Sequence, residues 1–248
     1  MKSTLFTLGF GFLLVALLAA CTLVEEISSR VTTITGSGNV VTQEENITGF
    51  DKVDVSNAFK VDIRQGDSFR VVIRVDDNLL EYLDVAKRGS TLRIGLEPGR
   101  AYNIRRATME ADVTMPELTS LELSGATQAT ISGFESTERL DVDVSGASQL
   151  RGDIEAGDAR FEVSGASQVT LSGSAGDVTI NVSGASTANL ADFSVGDASV
   201  EASGASKVTV NTSGRLDAEA SGASSVFYLG NPTLGNIDTS GASSVERK

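Results

Sequence analysis

The 248-residue chain contains no histidine and no tryptophan, a single cysteine and only 3 prolines. Without histidine there is no Ser-His-Asp or Cys-His relay, no HExxH zinc site and no histidine-held haem. One cysteine excludes an internal disulfide framework, a CxxC redox pair and a cysteine-based zinc cluster. Basic residues are outnumbered, 20 Lys+Arg against 33 Asp+Glu, so the formal charge is −13 and binding to phosphate backbones is not expected. Aromatics make up 5% of the chain, while glycine alone contributes 25 residues. The expected core is therefore thin and built from Val, Ile, Leu and Ala.

The one long apolar run lies at the start. Lys2 precedes an uncharged stretch from Thr4 to Ala20 that ends in Leu18-Ala19-Ala20-Cys21. This length and flanking suit a secretory h-region better than a membrane-spanning helix. Leu-Ala-Ala-Cys has the form of a bacterial lipobox, which predicts cleavage before Cys21 and acylation of its thiol, palmitate included. More than one acyl chain gives stable membrane attachment. Removing residues 1–20 leaves 19 basic against 33 acidic residues, a charge of −14. Residues 21–35 are expected to be the lipidated cysteine and a tether. Thr22, not Asp, follows the cysteine, the pattern of lipoproteins passed to the outer membrane or cell surface where a cell has two membranes.

Self-similarity dominates the second half. Ser-Gly-Ala followed by Ser or Thr occurs seven times, led by Ser124, Ser145, Ser164, Ser183, Ser203, Ser221 and Ser240, at spacings of 18 to 21 residues. Apolar residues alternate on both sides of each motif, as in Leu121 and Leu123, Phe161 and Val163, or Val208 and Val210. Period-two alternation marks strands with one buried face. The motif glycine supplies a turn conformation that a Cβ would penalise. Short strands in units that cannot bury their apolar face alone predict an all-β chain folded as a parallel β-helix, with coils of about 19–20 residues. The folded domain is expected to cover residues 36–248. Within it, residues 36–123 form irregular coils or a cap and 124–248 the regular repeats. Asp76-Asp77-Asn78 ahead of Leu79-Leu80 is expected to open a short helix.

Two outward series are candidate sites. Two residues before the motif serine stand Glu122, Asp143, Glu162, Asn181, Glu201, Glu219 and Asp238. Stacking would set these carboxylates about 4.8 Å apart, where neighbours repel by about 0.9 kcal/mol in water. Such a stripe suits a weakly bound Ca²⁺, a basic partner, or a solvated face that discourages sheet-to-sheet aggregation. No other cofactor is expected. Three residues after the motif serine, Thr127, Ser148, Ser167, Ser186, Ser206, Ser224 and Ser243 form a hydroxyl ladder. It would contact a glycan or satisfy turn backbone groups. A polysaccharide lyase or glycoside hydrolase would need paired carboxylates in a cleft. Asp141 with Asp143, and Asp153 with Glu155, are paired only along outward strand faces, and Arg105-Arg106 is the one basic pair of note.

The chain also resembles the putative auto-transporter adhesin, head GIN domain family of the bacterial envelope. The resemblance spans about residues 36–248. It is carried by Gly36-Ser37-Gly38-Asn39-Val40, the Phe50 to Val55 strand, Val61 to Gly66 and Asp77-Asn78-Leu79-Leu80. Leu92-Arg93-Ile94, Pro116-Glu117-Leu118 and the Ser-Gly-Ala units complete it. It implies a right-handed parallel β-helix on a secreted or lipidated chain, and it brings no catalytic residues. The expectation is a membrane-anchored, extracytoplasmic binding or structural module of adhesin type. Its ligand would be a glycan or a surface protein, and the open ends of the β-helix would allow homo-oligomers. A polysaccharide-binding or polysaccharide-degrading β-helix is the alternative.

Overall fold

The computed structural model describes residues 31–248; the signal segment and Cys21 lie outside the described residues. From Ser120 onward the chain alternates between two sheets. Ser120–Leu123, Leu140–Val144, Ala159–Val163, Val178–Val182, Ala198–Ala202, Arg215–Ala220 and Thr233–Thr239 enter the first sheet. Gln128–Glu135, Gln149–Glu155, Gln168–Ser174, Thr187–Val195, Lys207–Thr212, Ser225–Leu229 and Ser244–Arg247 enter the second. Each strand pairs in parallel with the equivalent strand one repeat away. The fold is the parallel β-solenoid that the repeat predicts.

Alternation decides which side chains fill the space between the sheets. Leu121, Leu123, Val144, Phe161, Ile180 and Val200 project inward from the first sheet, and Ile131, Leu150, Val169, Leu190 and Val208 from the second, all buried. Full burial of such a side chain contributes about 1.5–3 kcal/mol. Phe161 and Phe193 meet edge to face across the core, with ring centroids 6.0 Å apart at 88°.

The two corners between the sheets are built differently. At the first, the motif glycine takes a left-handed φ, +74° at Gly184, and a Cβ there would stand 2.4 Å from the carbonyl oxygen of Gly165. The same carbonyl accepts a 2.8 Å bond from the Ala185 amide. Glycine is thus required both by conformation and by the closeness of the coil below. At the second corner aspartates stack. The amides of Asp177 and Asp197 donate to the carboxylates of Asp158 and Asp177 at 2.9 and 2.8 Å. Gly176 and Gly196 leave room for them, since a Cβ at either would lie 2.6 or 2.7 Å from those carboxylate oxygens.

The first half departs from sequence order. Lys52–Val55 and Lys60–Gln65 form a coil lying between the Ser120 coil and a coil made of Thr91–Leu96 and Met109–Met115. Beyond it the end is closed by antiparallel strands: Val40–Glu45 on Arg70–Asp76, Arg70–Asp76 on Met109–Met115, and Leu83–Arg88 on Thr91–Leu96. A 3-10 helix, Asp77–Tyr82, buries Leu79 beneath this cap. Residues 36–123 are therefore both cap and coils. The folded body begins earlier than the expected tether boundary at residue 35. Val31–Thr35 pairs in parallel with Ala101–Arg105 and buries Ile34 while Val31 stays exposed.

Candidate functional site

Strand alternation turns every second residue of the first sheet to solvent, and in-register pairing aligns these residues coil by coil. Glu122 stands opposite Asp143, Asp143 opposite Glu162, Glu162 opposite Asn181, and so through Glu201 and Glu219 to Asp238. The predicted stripe exists and is longer than expected. Glu122 also pairs with Asp54, and Asp54 with Arg93.

Beside this stripe run the leading serines of the motif. From Asp143 to Asp238 the stripe, with the serines from Ser164 on, lines an open groove of about 720 Å³ bordered by Glu162, Glu201, Glu219, Ser183, Ser203 and Ser221. Each coil thus presents one hydrogen-bond-accepting carboxylate beside one hydroxyl that both donates and accepts, with Asn181 replacing the carboxylate once.

The electrostatics follow from this stacking. Burial against the sheet, then the neighbouring Asp54 and Asp143, push the Glu122 carboxyl above its ordinary value, with Arg93 opposing. Asp143 is raised by burial and by Glu162. Asp54 is raised by burial, against the pull of Arg93 and Arg88. Other carboxylates are compensated, one of the stripe among them: Arg160 clamps Glu162 through its guanidinium, Nε at 3.0 Å, and Arg139 holds Asp141 at 2.9 Å. Arg215 grips Asp217 bidentately at 2.7 and 2.8 Å; with the Asn236 amide it brings the Asp217 carboxyl down to about 2.

Nowhere among the described residues do three or more carboxylates converge as they would around a metal ion. Stacking spreads Glu122, Asp143, Glu162, Glu201, Glu219 and Asp238 along a line, so the stripe is an array of separate acceptors.

The hydroxyl ladder faces the other way. Thr127, Ser148, Ser167, Ser186, Ser206 and Ser224 are buried. All but the Ser167 hydroxyl, which has no partner among the described residues, serve the turn backbone: Thr127 Oγ1 donates to the Ser124 carbonyl at 2.7 Å, Ser224 Oγ donates to the Ala202 carbonyl at 3.0 Å, and Ser148 Oγ accepts from the Thr127 amide. Glycan contact at these positions is ruled out by burial. The hydroxyls that do reach the groove are the leading serines, which the sequence reading used only as repeat markers.

The paired acids do not meet in a cleft. Asp141 is tied to Arg139, while Asp143 belongs to the stripe. Asp153 accepts from the Gly133 amide at 3.0 Å, where the register of the neighbouring strand shifts. Asp54 was missed by the sequence reading, although Ser56-Asn57-Ala58 behind it is a degenerate copy of Ser-Gly-Ala. Asn57 stands where the other units have glycine and takes its left-handed φ, 63°.

A solenoid with one carboxylate and one hydroxyl per coil along an open groove is a repeat scaffold for surface recognition. Sequence comparison bears out this class. A family profile for the putative auto-transporter adhesin, head GIN domain matches residues 49–232. The chain belongs to that family. Among curated proteins no sequence matches it significantly. Solved structures share the fold. A "putative adhesin" from Bacteroides fragilis NCTC 9343 superposes with a TM-score of 0.77 at 20% identity, over 87% of this chain and all of that one. A "putative lipid binding protein" from Parabacteroides distasonis ATCC 8503 gives 0.67 at 21%, over 88% of this chain and all of that one. A "putative adhesin" from the same organism gives 0.66 at 16% with the same coverage.

Proposed function

We propose that the chain is a lipid-anchored module of the bacterial envelope, held by an acylated Cys21, that binds a surface glycan or protein along its acidic groove. The observation that carries this reading is the register of the groove: one carboxylate and one hydroxyl recur with each coil, about 4.8 Å apart. A ligand bearing amino or hydroxyl groups at intervals along its length meets the same pair of acceptors at each step. Single contacts are weak, and their number supplies the affinity. Membership of an adhesin family supports a surface-binding role. The lipobox supports the anchor.

The test is a glycan and cell-surface binding screen with residues 22–248, run beside a variant carrying Glu162→Gln, Glu201→Gln and Glu219→Gln. Saturable binding by the first and its loss in the second is the expected result. Release of reducing ends or unsaturated uronates from a polysaccharide would establish the enzymatic alternative instead. Binding by neither would leave a structural role for the rod.

A further inference from the structure

The ribbon of Val31–Thr35 and Ala101–Arg105 is a sheet of its own, apart from the two sheets of the solenoid. Alternation divides its faces. Thr32, Ile34, Tyr102 and Ile104 share the inner face and are buried or half-buried, with Ile34, Tyr102 and Ile104 joining the core. Tyr102 meets Tyr82 edge to face, ring centroids 6.0 Å apart, and its hydroxyl donates to the Glu97 carbonyl at 3.1 Å. Val31, Thr33, Thr35, Ala101, Asn103 and Arg105 form the outer face and are all exposed.

The charge of the ribbon runs against that of the chain. In a chain of formal charge −13, residues 31–35 and 99–108 contain Arg100, Arg105 and Arg106 and no acid. Arg100 reaches Glu97 at 3.7 Å through exposed side chains, a pair that holds weakly in water. Arg105 and Arg106 are exposed, and no carboxylate among the described residues lies within ion-pair distance of either. Residues 22–30 join this ribbon to Cys21 and bring Glu25, Glu26 and Arg30, a net charge of −1. From Cys21 to Val31 the chain can span at most about 35 Å. With Cys21 held in a bilayer, the ribbon stays within reach of the headgroups, where each arginine strengthens contact with an anionic surface roughly fivefold.

We propose that the outer face of this ribbon docks on anionic lipid headgroups, with Arg100, Arg105 and Arg106 against the phosphates. The docking rests on the anchored reading of Cys21 and is independent of what the groove binds.

The experiment couples residues 21–248 through Cys21, the one cysteine of the chain, to a maleimide lipid in vesicles. One set is phosphatidylcholine alone, the other phosphatidylcholine mixed with phosphatidylglycerol. Hydrogen exchange at residues 31–35 and 100–106 is expected to slow severalfold on the mixed vesicles only. It should recover in about 1 M NaCl, where the Debye length falls to about 3 Å. The variant Arg100→Gln/Arg105→Gln/Arg106→Gln should lose the protection, while Glu162→Gln/Glu201→Gln/Glu219→Gln should keep it. If the arginine variant does not fold, the lipid and salt dependence of the unaltered chain decides. The proposal is overturned if exchange is the same on both vesicles, if protection falls on other strands, or if it survives the arginine changes. Protection that follows protein density instead of lipid charge also overturns it, in favour of pairing with a second copy. Because the coupling is chemical, none of these outcomes depends on acylation in the cell, which the Cys21→Ala fractionation tests separately.

Discussion

Replacing Gly184 by alanine tests whether coil-to-coil contact at the Ser-Gly-Ala corner holds the solenoid together. Two costs are expected. The left-handed backbone, φ +74°, penalises any Cβ by about 1–2 kcal/mol. The new methyl also lies 2.4 Å from the Gly165 oxygen and 3.1 Å from its nitrogen, both main chain. It cannot be accommodated by turning a side chain, and the coil cannot lift without stretching the 2.8 Å bond from the Ala185 amide to that same oxygen. Forcing atoms into such a fixed space costs about 1–3 kcal/mol, giving a loss of about 2–5 kcal/mol in all. Gly38→Ala is the control, because its φ is +81° but nothing lies within 4 Å of the added methyl, so only the backbone cost of about 1–2 kcal/mol applies. Urea unfolding followed by far-UV circular dichroism, at matched slope, compares the two. A Gly184→Ala loss no greater than that of Gly38→Ala would refute the stacking argument.

Phe161→Ala should cost about 3–5 kcal/mol in the same assay, since the ring is fully buried and packs edge to face on Phe193. Acidification should act on the stripe with the opposite sign to ordinary acid denaturation. Asp54, Glu122 and Asp143 have folded values raised above the unfolded ones, so the folded chain takes up their protons first. Their penalty is in full force above the folded values and disappears as pH falls through the usual carboxylate range. These three groups should therefore raise the melting temperature as pH falls from neutrality toward their unfolded values of 3.8 and 4.5, and Glu122→Gln with Asp143→Asn should flatten that rise. Asp217 opposes this only further down. Its value is depressed to about 2, so its stabilisation is present above the unfolded value near 3.8 and is lost as pH falls toward 2. Cys21→Ala should move the protein from the membrane to the soluble fraction and abolish incorporation of a palmitate analogue.

The regular coils were legible because their physics is local and repeated. A strand with one buried face alternates, a corner that excludes a Cβ needs glycine, and both signatures recur seven times at nearly constant spacing. The stripe followed from the same period. Three features escaped for identifiable reasons. Asp54 precedes Ser56-Asn57-Ala58, where asparagine takes the glycine position and its left-handed conformation and hides the motif. The aspartate ladder of Asp158, Asp177 and Asp197 depends on each carboxylate reaching the amide of the next coil. Its Gly-Asp signature recurs in sequence but is shorter than the motif that drew the reading. The order of the first coils is set by nonlocal pairing: Lys60–Gln65 lies between Met109–Met115 and Gln128–Glu135, and no periodicity reports such an insertion. The inward turn of Ser148 and its equivalents was open between two readings until burial decided it.

The account's central claim is that recognition is carried by the row of groove carboxylates acting together. Its most direct measurement is the affinity for the best ligand from the binding screen as carboxylates are neutralised singly and then in combination. Glu162→Gln, Glu201→Gln and Glu219→Gln would be compared with Asp141→Asn, which lies outside the row. The account predicts small losses for single groove changes that compound to abolish binding in the triple variant, while the fold and the Asp141→Asn affinity are unchanged. Full affinity in the triple variant, or a loss confined to Asp141→Asn, would contradict it.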